Sequence, residues 1–229
     1  MFIPSFLSIF NKQTGPTSEF KKNTLPYLDI LYNFALRMTE NESKAGKLVH
    51  ETFLRAFRFF SHLDEETDYR KWLFRVIKNA YDDLYGKLSL KQENLKEEDE
   101  EDLYEKIKDF NIDNSLLEKS VYKNISQNEI ALAIVALPKD LKTVIVLQDL
   151  INFTDEETVY FTDAPLDIVK RRLYRARRIL FKNLSEEVKE KETFSESEIQ
   201  SLIKSLISLK LKLEPTPLHI RRKIVKKLR

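Results

Sequence analysis

The densest chemistry-bearing stretch runs from Leu166 to Arg178, where six of thirteen residues are Lys or Arg. Val169, Leu173, Ala176 and Leu180 recur through it at helical spacing, which predicts an amphipathic helix with those four inward. Lys170, Arg171, Tyr174, Arg175 and Arg178 spread over the remaining surface. Guanidinium and ammonium groups at such positions bond phosphate oxygens and the O6 and N7 edge of guanine. Upstream, Thr154 and Glu157 have the spacing of a capping box, which starts a short helix. Thr162-Asp163-Ala164 then makes a tight turn, and Pro165 opens the basic helix. Two short helices with a tight turn, the second one basic, form a helix-turn-helix. Helix pairs of this kind also occur in bundles that never touch nucleic acid; the basic density favours DNA.

The other residue types argue against an enzyme. Cysteine is absent, which removes disulfides, thiolate metal sites and a thiol nucleophile. His50, His62 and His219 are too scattered for a His-rich metal site, and three glycines leave no phosphate-binding glycine loop. No catalytic residue, metal or cofactor is therefore expected. The chain has no run of 18 apolar residues, so no membrane span is expected, and its start lacks the basic segment of a signal peptide. These features suit a cytoplasmic protein.

The elements around the basic helix are also helical, so an all-α fold is expected. Tyr27, Ile30, Leu31, Phe34, Ala35 and Met38 form one stripe. Asn41 is a candidate N-cap for a helix lined by Leu48, Val49, Thr52, Phe53, Ala56 and Phe57. Trp72, Leu73, Val76, Ile77, Ala80, Tyr81 and Leu84 line a third helix. Charge is segregated: residues 86–127 carry seven Lys against eleven acids, net −4, whereas 166–229 carry eighteen Lys and Arg against eight acids, net +10. This pattern predicts an arm over 1–20, a first helical domain over 21–86 and an acidic linker over 87–125 with a weak helix near 101–109. A second helical domain over 126–184 and a basic extension over 185–229 follow.

Two blocks resemble one family. Leu48-Val49-His50-Glu51-Thr52-Phe53-Leu54-Arg55-Ala56-Phe57 and Tyr69-Arg70-Lys71-Trp72-Leu73-Phe74-Arg75-Val76-Ile77-Lys78-Asn79, with Asp83 beyond, resemble consecutive segments of bacterial extracytoplasmic-function (ECF) sigma factors, of the sigma-70 family. Leu137-Pro138, Phe153–Glu157 and Pro165–Arg177 are similar to later segments of that family, in the same order. The resemblance implies a sigma2-like bundle of three to four helices and a sigma4-like helix-turn-helix domain. It implies a non-catalytic subunit whose partners are core RNA polymerase and promoter DNA, with an anti-sigma factor as a further partner. By the same resemblance, Lys47, His50 and Glu51 would contact polymerase. Arg70, Lys71, Phe74, Arg75, Lys78 and Asn79 would serve the −10 element, and Lys170, Arg171, Arg172, Tyr174 and Arg175 the −35 element. The chemistry agrees: cations off the Trp72 stripe suit the phosphates of a separated strand, and an amide suits a base edge. Phe74, also off the stripe, is the stacking candidate, Trp72 belongs with the core, and Arg172 suits a phosphate contact or an intradomain ion pair.

The chain departs from the family pattern at Gly46 and Lys47, where acids are usual, and at His50, where Gln is usual. These changes leave open a sigma-derived DNA-binding regulator that does not engage polymerase. A protein-binding scaffold or anti-sigma reading sits less well with the basic helix. In the extension, Ser195 and Glu198 predict another capping box and helix, while Leu209, Leu211 and Leu213 alternate with lysines as in a strand. The basic end after Pro215 and Pro217 is open to three readings: DNA binding, folding back as a regulator, or a solvated helix.

Overall fold

A computed structural model describes residues 16–86, 117, 120–187 and 193–228. Among them every regular element is helical, and no helix is long and apolar enough to cross a membrane. The acidic run at 97–102 and the weak helix expected near 101–109 lie outside the described residues.

The first half contains α1 (Pro16–Thr24), α2 (Leu28–Thr39), α3 (Glu42–Phe59) and α4 (Tyr69–Tyr85). Asn41 caps α3 by accepting the Lys44 amide, and Asp68 caps α4 by accepting the Lys71 amide. α4 ends at Gly86, whose φ of 82° suits a residue without Cβ. Leu48, Val49, Thr52, Phe53 and Ala56 of the α3 stripe are buried, whereas Phe57 is half-buried. In the α4 stripe Leu73, Ile77, Ala80 and Tyr81 are buried, Trp72 is half-buried and Leu84 is exposed. α1 begins inside the segment expected to be an arm. Its Phe20 is fully buried, meeting the rings of Phe53, Phe57 and Phe60 edge-on at 6.2, 5.2 and 5.1 Å between centroids.

The second half contains α5 (Gln127–Val135), α6 (Lys139–Ile145), a π-helical turn (Val146–Leu150), α7 (Asp155–Thr162) and α8 (Leu166–Glu187). Capping boxes start α5 at Ser126 with Glu129, and α7 at Thr154 with Glu157. Asp163 takes the left-handed conformation, φ 54°, and so makes the tight turn before α8. The π turn directs Asp149 inward, where it pairs with Arg177 in a bidentate bridge at 2.6 and 3.0 Å, both side chains buried.

The extension forms α9 (Glu196–Lys210) and α10 (Leu218–Lys227). Ser195 and Glu198 form the expected capping box. Leu209 lies in α9 rather than in a strand. The helix runs on to Lys210, whose ammonium is held by the carbonyls of Tyr122, Lys123 and Ile125. The end of the expected linker is thus packed: Ser120, Tyr122 and Ile125 are buried around a 3₁₀ turn, Val121–Asn124.

The two halves share one core. Phe34 of α2 and Phe74 of α4 meet Phe161 of α7 at 5.4 and 6.2 Å, and Phe74 meets Phe153 at 4.8 Å. Lys142 of α6, itself buried, pairs with Glu40 at the end of α2.

Candidate nucleic-acid interface

The cap at Asp68 starts α4 so that Arg70, Lys71, Arg75, Lys78 and Asn79 share one side. That side faces α7 across a cleft of about 220 Å³. Arg70 donates to both carboxylate oxygens of Glu157, at 2.9 and 3.2 Å, and to the Ile151 carbonyl at 2.9 Å, with its guanidinium 4.5 Å from the Phe153 ring centre. Arg75 donates to the Tyr160 hydroxyl at 2.9 Å. Lys78 pairs with Asp163. Lys71 is exposed beside Asp68, and Asn79 is exposed on the cleft rim. Three of the α4 cations are therefore engaged by side chains of the helix-turn-helix, two of them acidic.

Phe74 corrects an expectation. It is 1% exposed, not a free stacking surface. Within the first half its side of α4 lies off the apolar stripe, but rings from the second half cover it.

On α8, partners sort the expected contacts. Lys170 lies 3.5 Å from Asp155, and Arg171 bonds Asp167 one turn back at 2.5 Å; both cations stay partly exposed. Arg175 is exposed. Arg172 takes the ion-pair side of its two readings rather than a DNA contact, and Tyr174 is a correction. Arg172 is buried and reaches Asp140 at 3.4 Å, so it ties α8 to α6. Tyr174 is buried because α9 covers it: its hydroxyl donates to Glu196 at 2.8 Å, and its carbonyl accepts from Gln200. Burial and that carboxylate push the phenol up to about 12. Arg178 lies at the same Glu196, 3.6 Å away.

The third set lies on α3. Lys47 is exposed. Glu51 bonds Arg55 one turn on at 2.8 Å, and Arg55 also bonds Asp83 of α4. His50 has a buried Nε2 without a hydrogen-bond partner among the described residues. Burial, then Lys223 and Lys227 of α10, push its pKa down against the opposing pull of Glu51. α10 lies directly over this part of α3: a Cβ at Gly46 would stand 2.9 Å from Ile220 Cδ1.

The model of Sigma-70 region 2 matches residues 25–89, a span that holds α2, α3 and α4. The chain is 28% identical to the ECF RNA polymerase sigma-E factor of Haemophilus influenzae over 142 residues, 58% of this chain and 70% of that protein. It is 22% identical to the RNA polymerase sigma-H factor of Pseudomonas aeruginosa over 177 residues, 75% of this chain and 89% of that one. The chain is similar to ECF sigma factors of the sigma-70 family. Its fold is similar to that of the sigma factor RpoE from Bartonella quintana, solved in complex with the anti-sigma factor NepR. That match has a TM-score of 0.52 at 18% identity, covering 75% of this chain and 99% of that one.

In this chain, two features of the interface are not legible in the sequence. One is the acidic complement on the helix-turn-helix, Glu157 and Asp163, opposite Arg70 and Lys78. Its signal was available as acids in α7 and cations in α4, but nothing local says that the helices meet. The other is the polar row Asp29, Asn33 and Arg37 along α2, each of which bonds the extension. Their four-residue spacing puts them on one face, which in isolation resembles a solvated one.

Proposed function

We propose that this sigma factor directs promoter-specific initiation by binding core RNA polymerase through α3, the −10 element through α4 and the −35 element through α8. One observation carries the reading: the region-2 match spans α2 to α4, and the same chain continues into a capped helix-turn-helix with an exposed Arg175 on its second helix. Lys47, His50 and Glu51 are the α3 candidates for polymerase. Arg70, Lys71, Arg75, Lys78 and Asn79 are the candidates for a separated −10 strand, where cations hold phosphates and the amide meets a base edge. Arg175, Lys170 and Arg171 are the −35 candidates. Such a role needs no catalytic group or cofactor and belongs in the cytoplasm with the polymerase.

The helix-turn-helix acids occupy the positions that phosphates would take on α4. DNA engagement therefore requires α4 and α7 to part, and an anti-sigma factor that holds them together would block it. The test is run-off transcription by cognate core RNA polymerase, with and without the purified protein, over a promoter library. Transcripts that depend on the protein and share upstream and −10 sequences support the reading. Binding to DNA without any association with core polymerase would instead favour the free-standing regulator.

A further inference from the structure

The extension is laid against the first half by specific contacts. Pro215 and Pro217 bias the residues before them, Glu214 and Thr216, toward extended backbone, and both amides donate to α2. Asn33, fully buried in α2, bonds both backbone groups of Glu214: it accepts the amide at 2.9 Å and donates to the carbonyl at 2.8 Å. One turn earlier, Asp29 accepts the Thr216 amide at 2.9 Å, the Thr216 hydroxyl at 2.7 Å and Arg221 at 2.7 Å. One turn later, Arg37 reaches the Glu214 carboxylate at 3.4 Å. Burial raises the Asp29 pKa, but Thr216 and Arg221 outweigh it and hold the carboxyl below its ordinary value.

Past this row, α10 is amphipathic. Ile220, Ile224 and Leu228 are buried at successive turns, while Arg222, Lys223, Lys226 and Lys227 are exposed. Ile220 sits over Gly46, where the absence of a side chain makes the close approach possible. A larger residue at 46 would require the Ile220 side chain to shift.

We propose that residues 211–228 are a strap that occupies the α2–α3 surface in competition with core RNA polymerase, so that polymerase docks only after the strap leaves. This inference rests on the sigma-factor reading and on α3 as the docking helix. The strap covers Gly46 and brings Lys223 and Lys227 near His50, on the helix that also carries the exposed Lys47 and the Arg55-bound Glu51. Its contacts suit a reversible lock. They are part-buried polar bonds plus one short apolar stripe, and the basic face of α10 stays available to a competing polyanion.

The chain has no cysteine, so a Gly46→Cys/Ile220→Cys pair can be cross-linked without a competing thiol. A Cβ at 46 lies 3.2 Å from Ile220 Cγ1, within disulfide reach. The full-length double variant is oxidised, and binding to cognate core polymerase is measured before and after reduction. Arg221→Glu, which sets an acid against Asp29, is measured alongside. The expected result is an oxidised chain that does not bind and a reduced chain that does. Arg221→Glu should bind more tightly than the parent, by about tenfold if the strap is seated nine-tenths of the time. Failure of the pair to cross-link in the folded chain, or equal binding by oxidised and reduced forms, overturns the strap and leaves the sigma reading intact. Efficient cross-linking with no polymerase binding by the reduced chain, Arg221→Glu or the parent overturns the sigma reading, and the competition with it.

Discussion

Phe74→Ala separates a core residue from a base-stacking one. The Phe74 ring lies 5.8 Å from Phe34, 4.8 Å from Phe153 and 6.2 Å from Phe161, edge-on to each. Two of these partners belong to the other half of the chain. Truncating a buried Phe costs about 3–5 kcal/mol through lost transfer energy and an unfilled cavity. Each aromatic pair contributes ~0.5–1.5 kcal/mol beyond the area it buries, so three pairs are consistent with the upper part of that range. For a chain of this size the loss corresponds to a melting temperature lower by roughly 10 °C. Urea denaturation followed by circular dichroism, with a parallel thermal scan, measures both. Phe59→Ala is the control: that ring is 61% exposed and its removal should cost within ~0.5 kcal/mol. A double-mutant cycle of Phe74→Ala with Phe153→Ala should show coupling, because the rings touch across the two halves. If Phe74→Ala costs no more than Phe59→Ala while weakening promoter opening, Phe74 is a free stacking residue and the shared core is wrong.

Asp149→Ala should lower stability by about 3–5 kcal/mol in urea, since it leaves Arg177 charged and buried without its partner; a loss below ~1 kcal/mol would show the pair to be hydrated. In promoter-binding assays of the polymerase complex, Arg175→Ala should weaken upstream binding by ~1–3 kcal/mol if it reads a base edge, and Tyr174→Phe should leave binding unchanged, because that hydroxyl is spent on Glu196. Equal losses from both would contradict the burial of Tyr174. His50 sets a pH dependence: with α10 seated, burial, Lys223 and Lys227 favour neutral imidazole against Glu51, whereas the released state titrates near the ordinary value, about 6.5. The released state therefore binds more protons, so the contribution of His50 to seating is full above about pH 6.5 and is lost as pH falls below it. Hydrogen-exchange protection of residues 218–228 should drop from pH 7.5 to 5.5 in the parent, and drop less in His50→Gln; identical profiles would remove His50 from the strap contact.

Local signals made much of the fold legible. The caps at Asn41, Thr154 and Ser195 follow from a short polar side chain placed before an apolar periodic run, and the left-handed Asp163 follows from the turn between two such runs. What a sequence window does not carry is the identity of the covering surface. Phe74 lies off its own helix's stripe, and Phe153 and Phe161 from beyond the linker join Phe34 in covering it. Tyr174 lies between the inward Leu173 and the outward Arg175, and α9 decides which way it counts. Glu51 lies off the apolar stripe of α3, yet Arg55 at i+4 holds it: Glu N-terminal to the cation suits the helix dipole. Arg172 and Arg177 add to the basic density of α8, yet both are held by acids inside the second half. Counting cations overstated the surface open to DNA.

The caps also bear on how the molecule can open. Asn41 and Asp68 cap within the first half; Ser126 and Thr154 cap within the second; Ser195 caps within the extension. Each satisfies its orphan amides from a few residues away, so parting the halves leaves those helix starts intact. Glu157 is the instructive case. It accepts the Thr154 amide at 2.9 Å as part of the α7 capping box while also accepting Arg70. When α4 withdraws, Glu157 keeps the bond that starts α7 and loses only its cation. The cost of opening is then tertiary: the Phe74 ring contacts, the Arg70 and Lys78 pairs, and the Lys142–Glu40 bridge. The pairs at Arg70 and Lys78 can be repaid by the phosphates that replace the acids, which is the arrangement expected if DNA and the closed chain compete for the same cations. The ring contacts have no such substitute in phosphate. They set the part of the opening cost that another partner must offset, and docking of the first half on polymerase is the step at which the proposed function supplies it.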